Sequence, residues 1–455
     1  MKVTFPTIDY AIEVLKRRDM RSIFTFTIDP QTAKDFDDAI SYQDLEGGLI
    51  QVGVHIADVS FFVPAGSDID NEAYEKGNST YLVDKVIPML PEELSNNLCS
   101  LMPHKERLCM SIIFTMTRDA KIQKYKICRT IIHSNVRMNY NEAQQILSAP
   151  ITPSSDELAI VLHRLSKLAQ ILRSVRLANG ALNIEGEDIR FELNDAGHPV
   201  RIYLEESNEA HHLIEEFMLL ANRAVATHIG NRPFIYRVHD KPDIDRLADI
   251  NRFSKRPRSI LDDPKAFNDA INILRIRAQA KAVYSTNNIG HYGLQFSCYT
   301  HFTSPIRRYP DLMVHRLLDQ YVLRGKKESF PKSELETIAE HCSATEQNST
   351  QAERDSIKYF MTLYMQDRLG EEFEGHIVNV TSFGVFVRLE ENHCEGLIHI
   401  TKLEEDDYMD FDEKRYRLVA QRKGTTFTLG DAVRVRVVRA DPLKSQVDFE
   451  LVRAL

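Results

Sequence analysis

The sequence predicts an α+β protein: a mixed β-sheet core wrapped by helices, followed by a C-terminal all-β barrel. Three observations predict it. Residues 23–132 carry short apolar runs with the two-residue alternation of strands. From about residue 141 to 369, apolar positions recur at helical spacing between caps and glycine stops. After Gly370 the chain returns to short alternating segments separated by glycine turns.

Residues 1–22 read as a short charged lead, with KRRDMR at Lys16–Arg21, too short for a domain. A β-prone run (Ile23, Phe24, Phe26, Ile28) then ends at Asp29. Ile50, Val52, Val54 and Ile56 share one strand face after a Gly47-Gly48 turn. That strand should pair with residues 39–43 as a hairpin. Residues 111–117 and 127–134 read as two more strands. Ser155-Asp156-Glu157 caps a helix whose Leu158, Val161, Leu162, Leu165, Leu168 and Leu172 recur at helical spacing. Residues 208–229 form the next helix, stopped by Gly230. Asp263-Pro264 opens a third and Pro310 a fourth that runs to Gly325. Residues 333–369 form one long helix, with Gly370 as its stop. The segment 371–455 has the length and the several short strands of a small closed barrel such as an OB-fold. The predicted organisation is a lead (1–22), a helix-wrapped sheet domain (23–370, its core ending near 325 before the long helical segment) and the barrel (371–455).

A chain of 455 residues is long enough for such a division, and 43% hydrophobic with 27% charged residues is ordinary for a soluble protein. No apolar run is long enough to cross a bilayer, and MKVTFPTIDY lacks the layout of a signal peptide. The six cysteines contain no CxxC pair, which argues against a zinc site or a disulfide framework and fits a reducing cytoplasm. The net charge of −9 means that any polyanion must meet a local positive surface.

The stretch Thr27–Ile40, TIDPQTAKDFDDAI, holds Asp29, Asp35, Asp37 and Asp38. A strand running into a short polar loop turns such carboxylates towards one point. Their charges repel, so a cation between them is favoured. All-oxygen ligands suit magnesium, or manganese in its place. An Asp-rich loop can equally be a solvated turn. The preceding strand and the Asp at its end argue for a held cluster.

Further stretches accompany it: VHIADVS (Val54–Ser60), NSTY (Asn78–Tyr81), IPMLPEELSNNLCSL (Ile87–Leu101), NEAHHLIEEFMLLAN (Asn208–Asn222) and HFTSPIRRYPDLMVHRLL (His301–Leu318). In order and wording these motifs closely resemble the RNB catalytic domain of the ribonuclease II/ribonuclease R family, over roughly residues 23–325. Residues 372–453, through VNVTSFGVFVRL and EGLIHI, resemble the OB-fold RNA-binding module named after ribosomal protein S1.

The resemblance implies a processive, magnesium-dependent exoribonuclease that hydrolyses single-stranded RNA from a free 3′ end to nucleoside 5′-monophosphates. It implies a monomer, and the cysteine pattern and the absence of an apolar span point to a cytoplasmic protein with no membrane attachment. Asp29, Asp35 and Asp38 match the family's metal ligands, and Asp37 the Asp on which catalysis depends most. Arg307 matches its catalytic-site arginine, with Arg308 beside it as an RNA-binding candidate. Read without the family, SPIRRYP is a helix start with both arginines solvated. Tyr81 matches a tyrosine that packs on a nucleotide near the 3′ end, where its bland alternative is a core tyrosine. Glu215 matches a glutamate near the terminal nucleotide, against the alternative of an ordinary exposed helix glutamate. His55 and Asp58 read as structural. Phe383, Phe386 and His399 are the stacking candidates of the barrel, with Arg388, Arg434 and Arg436 as phosphate partners.

Two departures stand out. Ile184 aligns where some family members have a phenylalanine that completes the base clamp, which puts two-sided stacking in doubt. Only about 22 residues precede the catalytic strand, so the usual N-terminal cold-shock modules are not expected here. Two other function classes remain open at this level: an RNA-binding protein with an inert nuclease body, and a metal-dependent phosphodiesterase acting on DNA.

Overall fold

The computed structural model of the protein describes residues 8–152, 155–183, 187–254, 264–326, 328–404 and 406–454. Ile184 and Asp263 lie outside the described residues.

The chain opens with a one-turn helix α1 (Tyr10–Val14) and a short strand β1 (Arg18–Asp19). Then follow β2 (Thr25–Asp29), β3 (Asp38–Asp44), β4 (Leu49–Ala57), helices α2 (Val59–Phe62) and α3 (Asp68–Lys76), and a small hairpin of β5 (Thr80–Tyr81) and β6 (Val86–Ile87). Strands β7 (Glu106–Thr117), β8 (Ile122–His133) and β9 (Val136–Asn139) complete the first half. Seven of these strands form one sheet in the order β1-β8-β7-β4-β3-β2-β9. β1 lies parallel to β8 and β2 parallel to β9, and the remaining pairs are antiparallel. The charged lead therefore donates a strand to the sheet edge. The β3–β4 hairpin has the expected partners, with Ala39 opposite His55 and Gln43 opposite Gln51. Its turn suits glycine, since Gly47 and Gly48 adopt φ of 73° and 78°.

Both faces of β4 are buried, not the single face its alternation suggests. One face carries Ile50, Val52, Val54 and Ile56. The other carries a buried polar row: the His55 ring bonds the Ser41 and Ser111 hydroxyls, each at 2.8 Å, and Ser111 reaches Thr130 at 2.6 Å. This row runs across four strands and leaves no ring nitrogen unpaired. A Cβ on Gly53 would come within 2.4 Å of the Ser41 hydroxyl, so the row also requires that glycine. Asp58 is structural too, buried against Arg17 at 2.7 Å.

Burial lowers the His55 pKa from 6.5 to about 3. The unfolded chain takes up this proton near pH 6.5 while the folded chain refuses it, so stability is lost as pH falls through that window. By pH 5 the loss from this one ring is on the order of 2 kcal/mol. The thermal midpoint is expected to fall between pH 7 and pH 5, and less steeply in His55→Gln. Asp38 opposes this trend, because its raised pKa favours folding on acidification. Equal acid slopes in the two proteins would remove the explanation.

Helices α4 (Tyr140–Ser148) and α5 (Glu157–Ala178) follow, then the hairpin β10 (Glu187–Leu193) and β11 (Pro199–Glu206), and helix α6 (Glu209–Ile229). Asp156 caps α5 by accepting from the Ala159 amide at 2.8 Å. α6 buries Leu213, Phe217, Ala221 and Val225 on one stripe that joins the core of the sheet. β12 (Tyr236–Val238), α7 (Ile244–Ser254), α8 (Pro264–Arg277) and β13 (Val283–Ser285) lead to α9 (Tyr309–Leu318), which continues as a wider π turn to Leu323. The 35-residue helix α10 (Lys332–Gln366) then runs to the C-terminal barrel.

That barrel is closed, in the order β14 (Glu372–Thr381), β15 (Gly384–Leu389), β16 (Glu395–His399), β21 (Gln446–Ala454) and β20 (Ala432–Asp441). Between β16 and β20 the chain inserts a three-stranded sheet of β17 (Met409–Asp412), β18 (Arg417–Ala420) and β19 (Thr426–Thr428). All six cysteines are free thiols, five of them buried. Among the described residues no helix is long and apolar enough to cross a membrane.

Candidate active site

The sheet and α6 enclose a cavity of about 420 Å³, and the Asp-rich stretch forms one wall of it. Asp29 is the last residue of β2 and Asp38 the first of β3, so two carboxylates leave adjacent strand ends. The loop between them is stitched down. The Ser100 hydroxyl donates to the Lys34 carbonyl at 2.7 Å and accepts from the Phe36 amide at 3.1 Å, and the Leu101 amide bonds the Phe36 carbonyl. Arg137 Nη2 donates to the Pro30 and Gln31 carbonyls. Asp35 and Asp37 are thereby carried on a loop with little freedom.

Opposite stands the turn before α9. The Asp311 carboxylate accepts from the Ser304 amide at 2.8 Å, which sets the turn. The Ile306 amide then donates to Asp37 Oδ1 at 2.8 Å, and Arg307 Nε lies 3.5 Å from Asp37 Oδ2. Arg307 also bonds the Ser304 hydroxyl at 3.1 Å, yet its side chain remains 44% exposed, so its remaining donors face the cavity. Arg308 differs. It is largely buried and bonds Asp311 at 2.8 Å.

The electrostatics are those of buried carboxylates whose nearby arginines do not outweigh the cost of burial. Burial, reinforced by Asp38, raises Asp29 well above the usual carboxylate range. Burial raises Asp37 likewise, although Arg307 and the Ile306 amide pull it down. Asp38 is raised by burial to about 6. Asp29 Oδ2 and Asp37 Oδ2 are buried with no hydrogen-bond partner. Such oxygens ask for a cation or its waters. Among the described residues, no three His, Cys, Asp or Glu side chains gather closely enough to hold a metal ion by themselves. The donor set fits a hard cation only if water or a substrate phosphate completes the shell.

Tyr81 is not a core residue: it is 40% exposed, and its hydroxyl reaches Asp35 Oδ2 at 3.3 Å. The hairpin carrying it is pinned to α10, where Ser349, Glu353 and Ser356 accept from the Thr80 hydroxyl, Tyr81 amide and Val83 amide. Glu215 lines the cavity from α6 and is paired with Arg176 at 3.1 Å. The structure thus brings together Asp29, Asp35, Asp37, Asp38, Tyr81, Glu215, Arg307 and Arg308 around one space.

Sequence reasoning missed Tyr140, which lines the cavity and stacks on His211 with ring centroids 3.8 Å apart. The parallel register puts Asn139 opposite Asp29, so Tyr140 follows directly. It also missed Arg176, which holds Glu215 and the buried Glu216. The capping pair Asn139 and Glu142 was the one local signal that could have placed Tyr140 at a helix start.

Phe383, Phe386 and His399 lie apart from this cavity, on the outside of the barrel. Phe383 is 48% exposed and meets Phe386 edge-on at 6.1 Å, and His399 pairs with Gly384 beside them. The three arginines expected to meet phosphate already have partners: Arg388 pairs with Glu395, Arg434 with Glu374 and Arg436 with Glu372. These pairs are exposed and weak enough for an anion to compete.

Comparison with known proteins gives a family model described as "RNB domain" over residues 17–324 and one described as "S1 RNA binding domain" over 366–451. The chain is 40% identical to ribonuclease R of Thermotoga maritima over 97% of its own length and 65% of that protein's. It is 38% identical to ribonuclease R of Aquifex aeolicus, over 97% and 66%. It therefore spans just under two thirds of the length of these relatives. Its fold matches the structure of Mycoplasma genitalium RNase R in complex with ribose-methylated single-stranded RNA. That match has a TM-score of 0.89 and 30% identity over 98% of this chain and 74% of that one.

Proposed function

Because the chain belongs to the RNB domain family of ribonuclease R, we propose that it is a processive 3′-to-5′ hydrolytic exoribonuclease releasing nucleoside 5′-monophosphates from single-stranded RNA. One observation carries the reading: four carboxylates and an incompletely paired arginine share a single cavity with an exposed tyrosine.

In this reading Arg307 grips the scissile phosphate with its exposed guanidinium donors, oriented by the Ser304 hydroxyl. Asp37, held by the Ile306 amide, orients the attacking water. Water adds to phosphorus and the bond to the 3′ oxygen of the penultimate nucleotide breaks. A nucleoside 5′-monophosphate leaves, and the shortened RNA keeps a 3′-hydroxyl. A magnesium ion, or manganese in its place, held by Asp29, Asp35 and Asp38 would lower the pKa of that water and offset phosphate charge. Tyr81 stacks on a base near the 3′ end, its ring held through the Asp35 bond and the hairpin's contacts with α10. Glu215, tethered by Arg176, accepts from a ribose hydroxyl. Arg308 serves the RNA backbone chiefly by bracing the turn that carries Arg307. On the barrel, Phe383, Phe386 and His399 form a stacking platform for upstream RNA. The protein works as a monomer in the cytoplasm.

Truncating Tyr81 to alanine is expected to weaken single-strand binding by about 5- to 150-fold, one stacked base being worth about 1–3 kcal/mol. Titrating a short fluorescent oligonucleotide measures it, and unchanged affinity would remove Tyr81 from the RNA tract. The reading as a whole is tested by chromatography of a digest with magnesium, beside a DNA oligonucleotide of the same sequence. Nucleoside 5′-monophosphates from RNA alone are expected. Equal digestion of DNA would favour a phosphodiesterase without ribose recognition, and RNA retained uncut would favour an inert binding protein.

A further inference from the structure

We propose that a second cavity, across the wall made by Tyr81, Arg307 and Arg308, is the exit through which the cleaved nucleoside monophosphate leaves while RNA stays in place; this rests on the exonuclease reading above. The second cavity has a volume of about 180 Å³ and shares those three residues with the first. Asn78, Cys342, Glu346 and Glu353 line only the second.

Processive cleavage poses a traffic problem. After each cut the product lies beyond the new 3′ end, and the RNA itself fills the way it came in. A separate way out is needed. The wall between the cavities is in the right place, because Tyr81 is the surface on which a base near the 3′ end would rest. On one side of that wall, the hairpin carrying Tyr81 is held to α10 by three hydrogen bonds, which fixes where the base-bearing surface ends. Arg307 and Arg308 line both cavities and mark where the two adjoin, so a nucleotide that has left the reacting position can rest beyond them while Arg307 returns to the RNA.

The chemistry of the second cavity suits brief residence of a nucleotide. Asn78 Oδ1 and Arg308 Nε are buried in its wall, and neither has a hydrogen-bond partner. A base or sugar offers both a donor and an acceptor to meet them. Glu346 and Glu353 are partly exposed, so the cavity reaches solvent past two carboxylates. Glu346 is already paired with Arg237 at 2.6 Å and Glu353 accepts from the Tyr81 amide at 2.8 Å, so the groups at this end are occupied and offer a phosphate nothing to hold it.

The probe is labelled adenosine 5′-monophosphate, measured by equilibrium dialysis against the Asp37→Asn protein, alone and saturated with a 3′-hydroxyl single-stranded RNA. AMP affinity is expected to change by less than about threefold when RNA is bound, and Asn78→Leu is expected to weaken AMP binding by about three- to tenfold with RNA affinity unchanged. In the parent protein, Asn78→Leu should leave the first cleavage event at its normal rate in rapid quench and slow steady-state turnover. Competitive expulsion of AMP by RNA overturns the proposal, as does an Asn78→Leu protein with normal AMP binding and turnover. If Asn78→Leu does not fold, the competition arm decides alone, since it needs no change in the cavity. A parent protein that binds RNA without cutting it would sink the exonuclease reading instead, and the two failures are separate readouts.

Discussion

Asparagine in place of Asp37 is expected to lower the rate of RNA cleavage by about three orders of magnitude, with RNA affinity within about threefold of the parent. Asp37 is 4% exposed and sits where the loop after β2 meets the turn before α9. Asparagine keeps an oxygen for the Ile306 amide, so the loop stays anchored. It loses the negative charge beside Arg307 that a water or cation would use. The folded protein should not suffer. A buried carboxylate whose pKa is raised by desolvation is a cost to the fold, and a neutral isostere removes that cost. The thermal midpoint of Asp37→Asn is therefore expected at or above that of the parent. Rapid-quench kinetics and filter binding check the pair of outcomes. Parallel loss of cleavage and binding would contradict the role given to Asp37.

Arg307→Ala is expected to cost about 10²–10³ in kcat, and to raise KM as well, if the guanidinium holds phosphate before and during reaction as proposed. Arg307→Lys should recover only part of the loss, since an ammonium cannot make two parallel bonds to phosphate. Arg308→Ala separates the neighbouring arginines. Its guanidinium is paired with the fully buried Asp311, so removing it leaves a buried charge alone and is expected to cost about 3–5 kcal/mol of stability. Catalytic loss with an unchanged melting curve at Arg307, and a lowered melting curve at Arg308, is the expected contrast.

Much of the fold could be read from local chemistry. Alternation and the Gly47-Gly48 turn specified the β3–β4 hairpin, and caps and glycine stops specified α5 and α6. What escaped was long-range pairing. Nothing local announces that Arg18 pairs beside Thr130, or that Asp29 lies opposite Asn139 and so brings Tyr140 to the cavity. The β10–β11 hairpin and the small sheet inserted in the barrel were missed for another reason. Their strands are short, and many of their residues are polar or charged, so the two-residue alternation is weak.

The candidate site was legible as residue types and only partly as an arrangement. The four aspartates were visible as a cluster, but not that Asp29 and Asp37 each bury an oxygen that no hydrogen bond satisfies. Arg307 and Arg308 are adjacent and chemically alike in sequence. The fold makes them different, one half-exposed to the cavity and one consumed by Asp311. On the barrel, arginines that suggest a phosphate path turn out to be answered by glutamates on neighbouring strands. Such cross-strand partners depend on register, which sequence states only indirectly.

On the proposed reading, this carboxylate cavity cuts RNA one nucleotide at a time from the 3′ end. The decisive experiment incubates a 5′-labelled single-stranded RNA with the protein and magnesium, beside a chelator control. A label that survives on fragments shortening stepwise from the 3′ end, and only while the metal is present, is the predicted result. Internal fragments from the first time point, or bound RNA of undiminished length, would contradict it.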